Sequence, residues 1–357
     1  MREILDAFCL DGEPVWCEPY GQGHINRTYH VRTDAPHDYI LQRLNTQVFP
    51  DVEGLMHNVV AVSAHLNRKC DDPRRVLTLV PTTDGAFFCR SADGACWRVL
   101  EYVRDGICLE QAQSPEDMRQ NGIAFGEFQK QLADFPAETL VEIIPGFHDT
   151  PGRYRQLRQA IEEDRAGRLR EVRPEVDEYL AREEEADGLM RLYRQGILPT
   201  RVTHNDTKLN NVMLDAETKT ALCVLDLDTV MPGLAANDFG DAIRFGASTA
   251  LEDERDLNRV SLSLPYYQAF AEGFLGACGD ALTEMELETL PLGAKLMTLE
   301  CGTRFLADYL NGDVYFHVDR EGHNLDRART QLKLVQDMER KWTEMLWIAA
   351  QAKTQAR

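Results

Sequence analysis

The feature that most constrains this chain is a short β segment in the middle of an otherwise helical C-terminal part. Residues 201–228 are predicted to form a strand, a polar loop and a hairpin, whose β-prone arms are 211–214 and 221–225. A polar loop between such elements is held at both ends. Side chains within it are therefore expected to occupy fixed positions.

The remainder of the chain divides into two regions of different character. Residues 1–103 contain β-prone runs separated by Asp-Gly and Gly-x-Gly turn signals, which predicts a hairpin-rich sheet crossed by one helix over 49–67. Residues 104–357 mostly carry apolar side chains at helical spacing. We therefore predict an α+β protein with an N-terminal sheet domain and a mainly helical C-terminal domain. Long continuous helices are expected at 174–195 and 326–353.

Composition excludes several classes of protein. The 357 residues include 39 Lys and Arg against 59 Asp and Glu, and the resulting net charge of −20 opposes binding to nucleic acid or anionic lipid. A hydrophobic content of 43% is too high for a disordered chain, and no apolar run approaches the roughly 18 residues of a membrane span. Early charged residues disfavour a signal peptide, so the expected location is the cytoplasm. The nine cysteines, odd in number and without a Cys-x-x-Cys pair, are expected to be reduced thiols.

The central loop carries the residue types that phosphoryl transfer needs. Asp206 supplies a carboxylate that can accept a proton from an attacking hydroxyl, and Lys208 supplies a cation for the transferring group. Asn211 and Asp226, which follows the hairpin, supply an amide and a carboxylate that suit Mg²⁺. Because phosphoryl transfer depends on positioning and charge neutralisation, this set predicts a kinase.

The pattern His204-x-Asp206-x-Lys208-x-x-Asn211 resembles the catalytic loop of the protein-kinase-like fold. The chain lacks Asp-Phe-Gly and Ala-Pro-Glu motifs at the expected places, and its helical C-terminal part is similar to the aminoglycoside phosphotransferase and choline kinase branch. Within that branch it most resembles bacterial N-acetylhexosamine 1-kinases. The resemblance extends over residues 18–26, 39–43, 203–211, 225–229, 238–246 and 300–309.

This resemblance implies a kinase that transfers the γ-phosphoryl group of ATP to the anomeric hydroxyl of N-acetylglucosamine or N-acetylgalactosamine. It assigns the base to Asp206 and Mg²⁺ to Asn211 and Asp226. Asp228 is expected on the same strand face as Asp226, with the sugar favoured over the metal as its ligand. Lys208 is expected near the γ-phosphate, the alternative being an ion pair with a neighbouring carboxylate.

The resemblance also implies a nucleotide site. Gly21 and Gly23 would form the glycine-rich turn over the nucleotide, and Glu101 with Tyr102 would form the hinge whose backbone binds adenine. The family's phosphate-anchoring lysine has no lysine counterpart, so either Gln42 or Arg43 would take its place. Glu53 on the crossing helix could pair with Arg43 or could simply be solvated.

For the sugar, the resemblance implies contacts from His24, Phe245, Arg304 and Tyr315, which offer aromatic faces and polar donors to an uncharged ligand. Asp238 is expected to brace the catalytic loop through hydrogen bonds.

Three functions remain open from the sequence. The first is an N-acetylhexosamine 1-kinase, and the second is a kinase of the same fold for choline, homoserine, an aminoglycoside or another sugar. The third is a nucleotide-binding scaffold without catalysis, which the presence of Asp206, Asn211 and Asp226 disfavours. No nucleic acid or membrane partner is expected, and a monomer is slightly favoured.

Overall fold

The computed structural model describes residues 1–21 and 25–355 of the chain. Contacts divide the described residues into two compact units, each drawn from separate stretches of sequence. The first unit comprises Met1–Cys108, Asp134–Pro145 and Val212–Pro232, and the second comprises Leu109–Ala133, Gly146–Asn211 and Gly233–Arg357. The division predicted after residue 103 stays a prediction.

Strands predominate in the first 108 residues of the chain, and helices predominate after them. The strands are β1 Pro14–Pro19, β2 Arg27–Thr33, β3 Asp38–Arg43, β4 Leu79–Val80, β5 Cys89–Arg90, β6 Cys96–Glu101, β7 Gly106–Cys108, β8 Arg201–Thr203, β9 Val212–Asp215, β10 Ala221–Val224 and β11 Met231–Gly233. The helices are α1 Arg2–Leu5, α2 Val52–Asn67, α3 Pro115–Gln131, α4 Thr150–Glu163, α5 Arg173–Leu180, α6 Glu183–Ala186, α7 Gly188–Arg194, α8 Ala235–Gly246, α9 Leu264–Cys278, α10 Glu284–Asn311, α11 His323–Arg340 and α12 Trp342–Gln355.

The first unit is built on an antiparallel sheet in the order β1-β2-β3-β6-β4, with β5 paired to β6. One face of the sheet packs in an apolar cluster that includes Val31, Leu41 and Val99. The other face meets α2, where Met56 Sδ lies 4.0 Å from Nη1 of Arg98 on β6. A smaller sheet, β10-β9-β7, contains the predicted hairpin.

The crossing helix predicted over 49–67 is confirmed as α2. It begins after Asp51, whose carboxylate accepts a hydrogen bond from the N–H of Gly54 and so satisfies one of the unpaired donors of the first turn. Its apolar residues at helical spacing, such as Leu55, Val59 and Val62, are fully buried.

The second unit is helical, as predicted, and two of its helix pairs approach at glycines. A Cβ on Gly293 of α10 would overlap the carbonyl oxygen of Ala236 on α8, and one on Gly240 would overlap the carbonyl oxygen of Gly293. Helices α3 and α9 meet similarly at Gly122 and Gly273. Glycine allows these backbones to come into direct contact.

Two expectations about helices were wrong, and one helix was missed. The continuous helix predicted over 174–195 is three short helices, α5 to α7, and the one predicted over 326–353 breaks at Lys341 into α11 and α12. Lys341 donates from its ammonium group to Asp337 and to the Leu262 carbonyl, a tertiary contact that apolar spacing does not reveal. Helix α8 was not predicted, because buried charged residues interrupt its apolar pattern.

All nine cysteines are free, as predicted. Among residues 1–21 and 25–355, no helix combines the length and the apolar character that crossing a bilayer requires.

Candidate active site

The loop that carries Asp206 is folded around a buried histidine in the second unit. His204 packs edge-on against Phe125 and Phe128, with ring centroids 5.3 and 5.9 Å away. Its Nδ1 accepts a hydrogen bond from the N–H of Asp206 at 3.3 Å. Asn205 between them has a φ of +65°, a left-handed conformation that asparagine tolerates better than most residues.

The carboxylate of Asp206 is held from two sides. Lys208 Nζ lies 2.7 Å from Oδ1, and Asn211 Nδ2 donates to Oδ2 at 3.0 Å and to the Asp206 carbonyl at 2.8 Å. Because its amide nitrogen is used in this way, Asn211 presents Oδ1 as the atom suited to a hard metal ion. The structure thus brings together three of the predicted site residues.

Lys208 forms an ion pair with Asp206. The sequence analysis gave such a pair as the alternative to a position near the γ-phosphate. Burial acts to lower the pKa of Lys208, but the neighbouring carboxylates of Asp206 and Asp241 outweigh it and raise the pKa above its usual value. Lys208 is therefore a cation at neutral pH. A position near the γ-phosphate stays a proposal.

Helix α8 holds the loop in place through Asp238, and the predicted brace is confirmed. Its carboxylate accepts hydrogen bonds from the N–H groups of His204 and Asn205 at 2.9 and 2.8 Å and from Gln129 Nε2 at 2.8 Å. The Asp238 carbonyl accepts from Thr207 Oγ1 at 2.6 Å. Burial raises the pKa of Asp238, although the hydrogen bonds from His204, Asn205 and Gln129 act to lower it.

One turn further along α8, Asp241 supports the same loop. Its Oδ2 accepts from the N–H of Thr207 at 3.0 Å, and its Oδ1 lies 2.9 Å from the guanidinium of Arg244. Burial acts to raise the pKa of Asp241, but Arg244, Lys208 and His148 outweigh it and lower the pKa. Asp241 is therefore an anion beside the catalytic loop.

The two aspartates after the hairpin belong to the first unit, and they do not share a strand. The expectation that they share one face of a strand was wrong, because β10 ends at Val224, Asp226 has a φ of +54° and Leu227–Thr229 forms a short 3-10 turn. Asp228 is buried, and its carboxylate lies 2.5 Å from Arg98 Nη1 and accepts from Asn26 Nδ2 at 2.6 Å.

Arg98 is a site residue that the sequence analysis missed. It lies on β6 beside Gln42 of β3, and Gln42 in turn lies beside Thr28 of β2. Arg98 Nε donates to Gln42 Oε1 at 2.9 Å, and Gln42 Nε2 donates to Thr28 Oγ1 at 3.2 Å. A charged residue inside the otherwise apolar run 96–100 was the available signal.

The same register separates the two candidates for the missing lysine. Gln42 lies on the same sheet face as Arg98, the partner of Asp228, whereas Arg43 lies over the ring of Trp97 and 3.6 Å from Asp93. The possible pairing of Glu53 with Arg43 was wrong, because Glu53 pairs with Arg90 at 2.6 Å.

The proposed hinge residues are Glu101, the last residue of β6, and Tyr102 directly after it. The N–H of Glu101 donates to the Thr78 carbonyl and that of Tyr102 donates to the Asp38 carbonyl. These two N–H groups are therefore not donors to adenine in this conformation. Gly21 has a φ of +77°, consistent with a tight turn. Gly23 lies outside the described residues.

The predicted sugar residues are partly brought together in the second unit. The Arg304 guanidinium lies 5.5, 5.8 and 5.3 Å from the ring centroids of Phe147, Tyr315 and Phe316. Tyr315 is 70% exposed. Phe245 is half-buried near the end of α8, and His24 lies outside the described residues.

Beside Arg304, the sequence analysis missed a buried pair. His148 Nδ1 lies 2.9 Å from Oε1 of Glu300, and Thr150 Oγ1 donates to Oε2 of the same carboxylate at 2.8 Å. Glu300 lies four residues before Arg304 on α10, so both project from one face of the helix. A glutamate in an otherwise apolar stretch of helix was the signal for it.

Comparisons with known proteins identify the family and the fold of this chain. The model of the phosphotransferase enzyme family, APH, matches residues 16–273. A solved amicoumacin kinase in complex with AMP-PNP, Ca²⁺ and Ami has a TM-score of 0.60 and 14% identity, over 93% of this chain and 91% of that one. A microcompartment-associated aminopropanol kinase has a TM-score of 0.56 and 16% identity, over 96% and 97%.

An ethanolamine kinase from Plasmodium vivax has a TM-score of 0.53 and 15% identity, over 88% of this chain and 82% of that one. At these identities the solved structures show the fold alone. That fold is the predicted protein-kinase-like one, with an antiparallel sheet in its N-terminal part and helices in its C-terminal part.

Proposed function

The chain belongs to the phosphotransferase enzyme family, and from that premise we propose that it phosphorylates the anomeric hydroxyl of an N-acetylhexosamine with ATP. Family membership makes it a small-molecule kinase. The proposal concerns the acceptor and the roles of individual residues. The products are the sugar 1-phosphate and ADP.

Asp206 is the proposed base. It orients the anomeric hydroxyl and takes up its proton as the bond to phosphorus forms, and this hydroxyl is more acidic than an ordinary alcohol. Lys208, now 2.7 Å from Asp206, neutralises charge on the transferring group. Asp238 and Asp241 act by holding the loop.

Mg²⁺ is the proposed metal, with Asn211 Oδ1 and Asp226 as its protein ligands. These are hard oxygen donors, and Mg²⁺ in kinases usually takes one or two such side chains together with phosphate oxygens. When bound, Mg²⁺ neutralises the charge of the β- and γ-phosphates. Asp228 is proposed to brace the Asp226 turn through Arg98, because its contacts support this better than a sugar contact.

Gly21, Gly23, Glu101 and Tyr102 remain the proposed nucleotide residues. For the phosphates we assign Gln42 rather than Arg43, because Gln42 shares its sheet face with Arg98, the partner of Asp228.

The observation that supports an uncharged acceptor is the position of Arg304. Three aromatic rings surround its guanidinium, and such rings are what binds a quaternary or primary ammonium group in other proteins. Here the rings already hold a cation, which would repel a second one. A guanidinium with its N–H donors instead suits the carbonyl of an N-acetyl group. His24, Phe245 and Tyr315 complete the proposed sugar contacts.

A kinase for a cationic amino alcohol is the second candidate. Its support is the fold shared with aminopropanol and ethanolamine kinases. The position of Arg304 argues against it for this chain.

The test is ADP release with Mg-ATP across N-acetylglucosamine, N-acetylgalactosamine, glucose, galactose, choline and ethanolamine, with the phosphorylated position assigned by phosphorus NMR. Phosphate on the anomeric carbon of an N-acetylhexosamine is the expected result. Turnover confined to choline or ethanolamine would overturn the proposal while leaving the catalytic loop assignment intact.

A further inference from the structure

His148 and Glu300 form a hydrogen-bonded pair inside the second unit. Their side chains are 8% and 1% exposed, and the bond between Nδ1 and Oε1 is 2.9 Å. Burial acts to raise the pKa of Glu300, but His148, Arg304 and Thr150 outweigh it and hold the pKa below its usual value. Glu300 is therefore a carboxylate that can only accept, so Nδ1 of His148 carries the hydrogen of this bond.

The other ring nitrogen of His148 is the unusual atom. Nε2 is buried, and among residues 1–21 and 25–355 it has no hydrogen-bond partner. A buried polar atom without a partner costs free energy, and most such atoms in folded proteins are satisfied. The unsatisfied Nε2 of His148 is therefore a candidate for contact with a ligand.

The position of His148 connects the catalytic loop with the Arg304 cluster. The centroid of its ring lies 4.5 Å from that of Phe147, and the guanidinium of Arg304 contacts the same Phe147 ring. His148 also acts electrostatically on Asp241, whose carboxylate accepts a hydrogen bond from the N–H of Thr207 in the catalytic loop. A ligand that reaches both Asp206 and Arg304 would therefore pass close to His148.

We infer that His148 Nε2 binds a hydroxyl of the acceptor other than the one that is phosphorylated, with Glu300 positioning the ring. A hydroxyl both donates and accepts, so it can pair with Nε2 whether or not that atom carries a hydrogen. The acceptor must then have at least two hydroxyls, as a sugar has and choline or ethanolamine has not. The inference deepens the proposed function and rests on it for the identity of the sugar.

The test compares two substitutions, each of which keeps a hydrogen-bonding group near only one of the two imidazole nitrogens. His148→Asn keeps an amide nitrogen near Nδ1, for the bond to Glu300, but has nothing at the position of Nε2. His148→Gln extends an amide to that position. An exposed histidine paired with a carboxylate, His37 beside Asp11, provides the control variant His37→Asn.

Steady-state kinetics are measured on the natural acceptor and on its monodeoxy analogues. His148→Asn is expected to lower kcat/KM on the full acceptor by about 10- to 100-fold, mainly through KM, since the contact forms on binding. His148→Gln should recover part of this loss, and His37→Asn should match wild type. On the one analogue that lacks the hydroxyl bound by His148, wild type and His148→Asn should become equal.

An equal loss for His148→Asn on every analogue would overturn the inference, because it would show that Nε2 only supports the fold or binds water. Wild-type activity confined to a single-hydroxyl amine would overturn both this inference and the proposed function. Activity on a different polyol would overturn only the proposed sugar, and the same comparison on that polyol would then decide the role of His148. If no acceptor is turned over, titration calorimetry with the sugars replaces kinetics, and unchanged affinity in His148→Asn would overturn the inference.

Discussion

At Asp206, the carboxylate proposed to bind the acceptor hydroxyl is already bound by Lys208 and Asn211. The contact with Asn211 uses Oδ2 and that with Lys208 uses Oδ1, so neither oxygen is without a neighbour. Nucleotide phosphates are the natural competitor for the ammonium of Lys208. Substrate binding would then release one carboxylate oxygen for the acceptor.

Asp206→Asn should therefore remove the proposed base but leave the binding of ATP intact. We expect kcat to fall by about 10²- to 10⁴-fold, the usual contribution of a positioned base, while ATP still binds. ADP release and calorimetric titration with Mg-ATP measure the two effects. Asp280→Asn, which removes an exposed carboxylate paired with Lys130, is the control and should have wild-type activity. Wild-type turnover in Asp206→Asn would exclude Asp206 as the base.

The Arg98–Asp228 pair gives a second prediction for single residues. Arg98→Met leaves the buried carboxylate of Asp228 without its cation, and should lower the free energy of unfolding by about 3–5 kcal/mol. Adding Asp228→Asn removes the isolated charge and should restore much of the loss. Urea denaturation of both single variants and the double variant measures the coupling.

The exposed pair Arg90–Glu53 in the same unit is the control for this prediction. Arg90→Met should have only a slight effect, since water already solvates both charges. If Arg98→Met were equally harmless, the buried pair would contribute nothing to the stability of the sheet.

At the scale of secondary-structure elements, α8 depends on α10 for its position. Their backbones touch at Gly240 and Gly293, and α8 then presents Asp238 and Asp241 to the catalytic loop. The distance between these two helices therefore determines where the loop backbone lies.

Gly293→Ala should separate the two helices. We expect a loss of about 1–3 kcal/mol in the free energy of unfolding and a lower kcat, because the added methyl group meets a backbone carbonyl that cannot move alone. Gly276→Ala on α9 is the control, since a Cβ there meets nothing within 4 Å, and should leave stability unchanged or slightly raised. Equal Tm values for the two variants would contradict the proposed close contact.

The connection between α11 and the segment before α9 should depend on pH. Burial acts to raise the pKa of Asp337, but Lys341, the N–H of Leu262 and Ser261 outweigh it and lower the pKa to about 2. A carboxyl whose pKa is lower in the folded state stabilises it above the unfolded pKa, and that stability is lost as pH falls towards 2.

Asp337→Asn should thus be less stable than wild type at pH 7, by about 2 kcal/mol. The difference should shrink between about pH 4 and pH 2. Chemical denaturation of both proteins over this range is the measurement. A difference that stays constant down to pH 2 would show that the carboxylate charge does not matter.

How much the sequence reveals differs between elements for a physical reason. The cluster of Asp206, Lys208 and Asn211 could be predicted because a short loop brings these residues together locally. The role of Arg98 could not, because its contact with Asp228 is set by strand register and by residues far along the chain. Helix α8 escaped prediction because its buried face carries charges, which are paired only in the folded protein.

At the scale of the whole molecule, the net charge of −20 affects stability. Like charges repel more strongly in the compact state than in the unfolded chain, and salt screens that repulsion. We expect Tm to rise between about 20 mM and about 300 mM NaCl at pH 7.5. The rise should vanish near the isoelectric pH, where the net charge is close to zero. Scanning calorimetry at both pH values measures it, and an equal rise at both would point to a cause other than net charge.

Helix α10 also fixes distances over a long span. Gly293, Glu300 and Arg304 are spaced by seven and four residues and so share one helix face, about 10 Å and 16 Å along the axis from the contact with α8. Inserting or deleting one residue after Gly293 would rotate Glu300 and Arg304 by about 100° away from their partners. This stretch of α10 can therefore change by substitution without losing these contacts, but not by insertion or deletion.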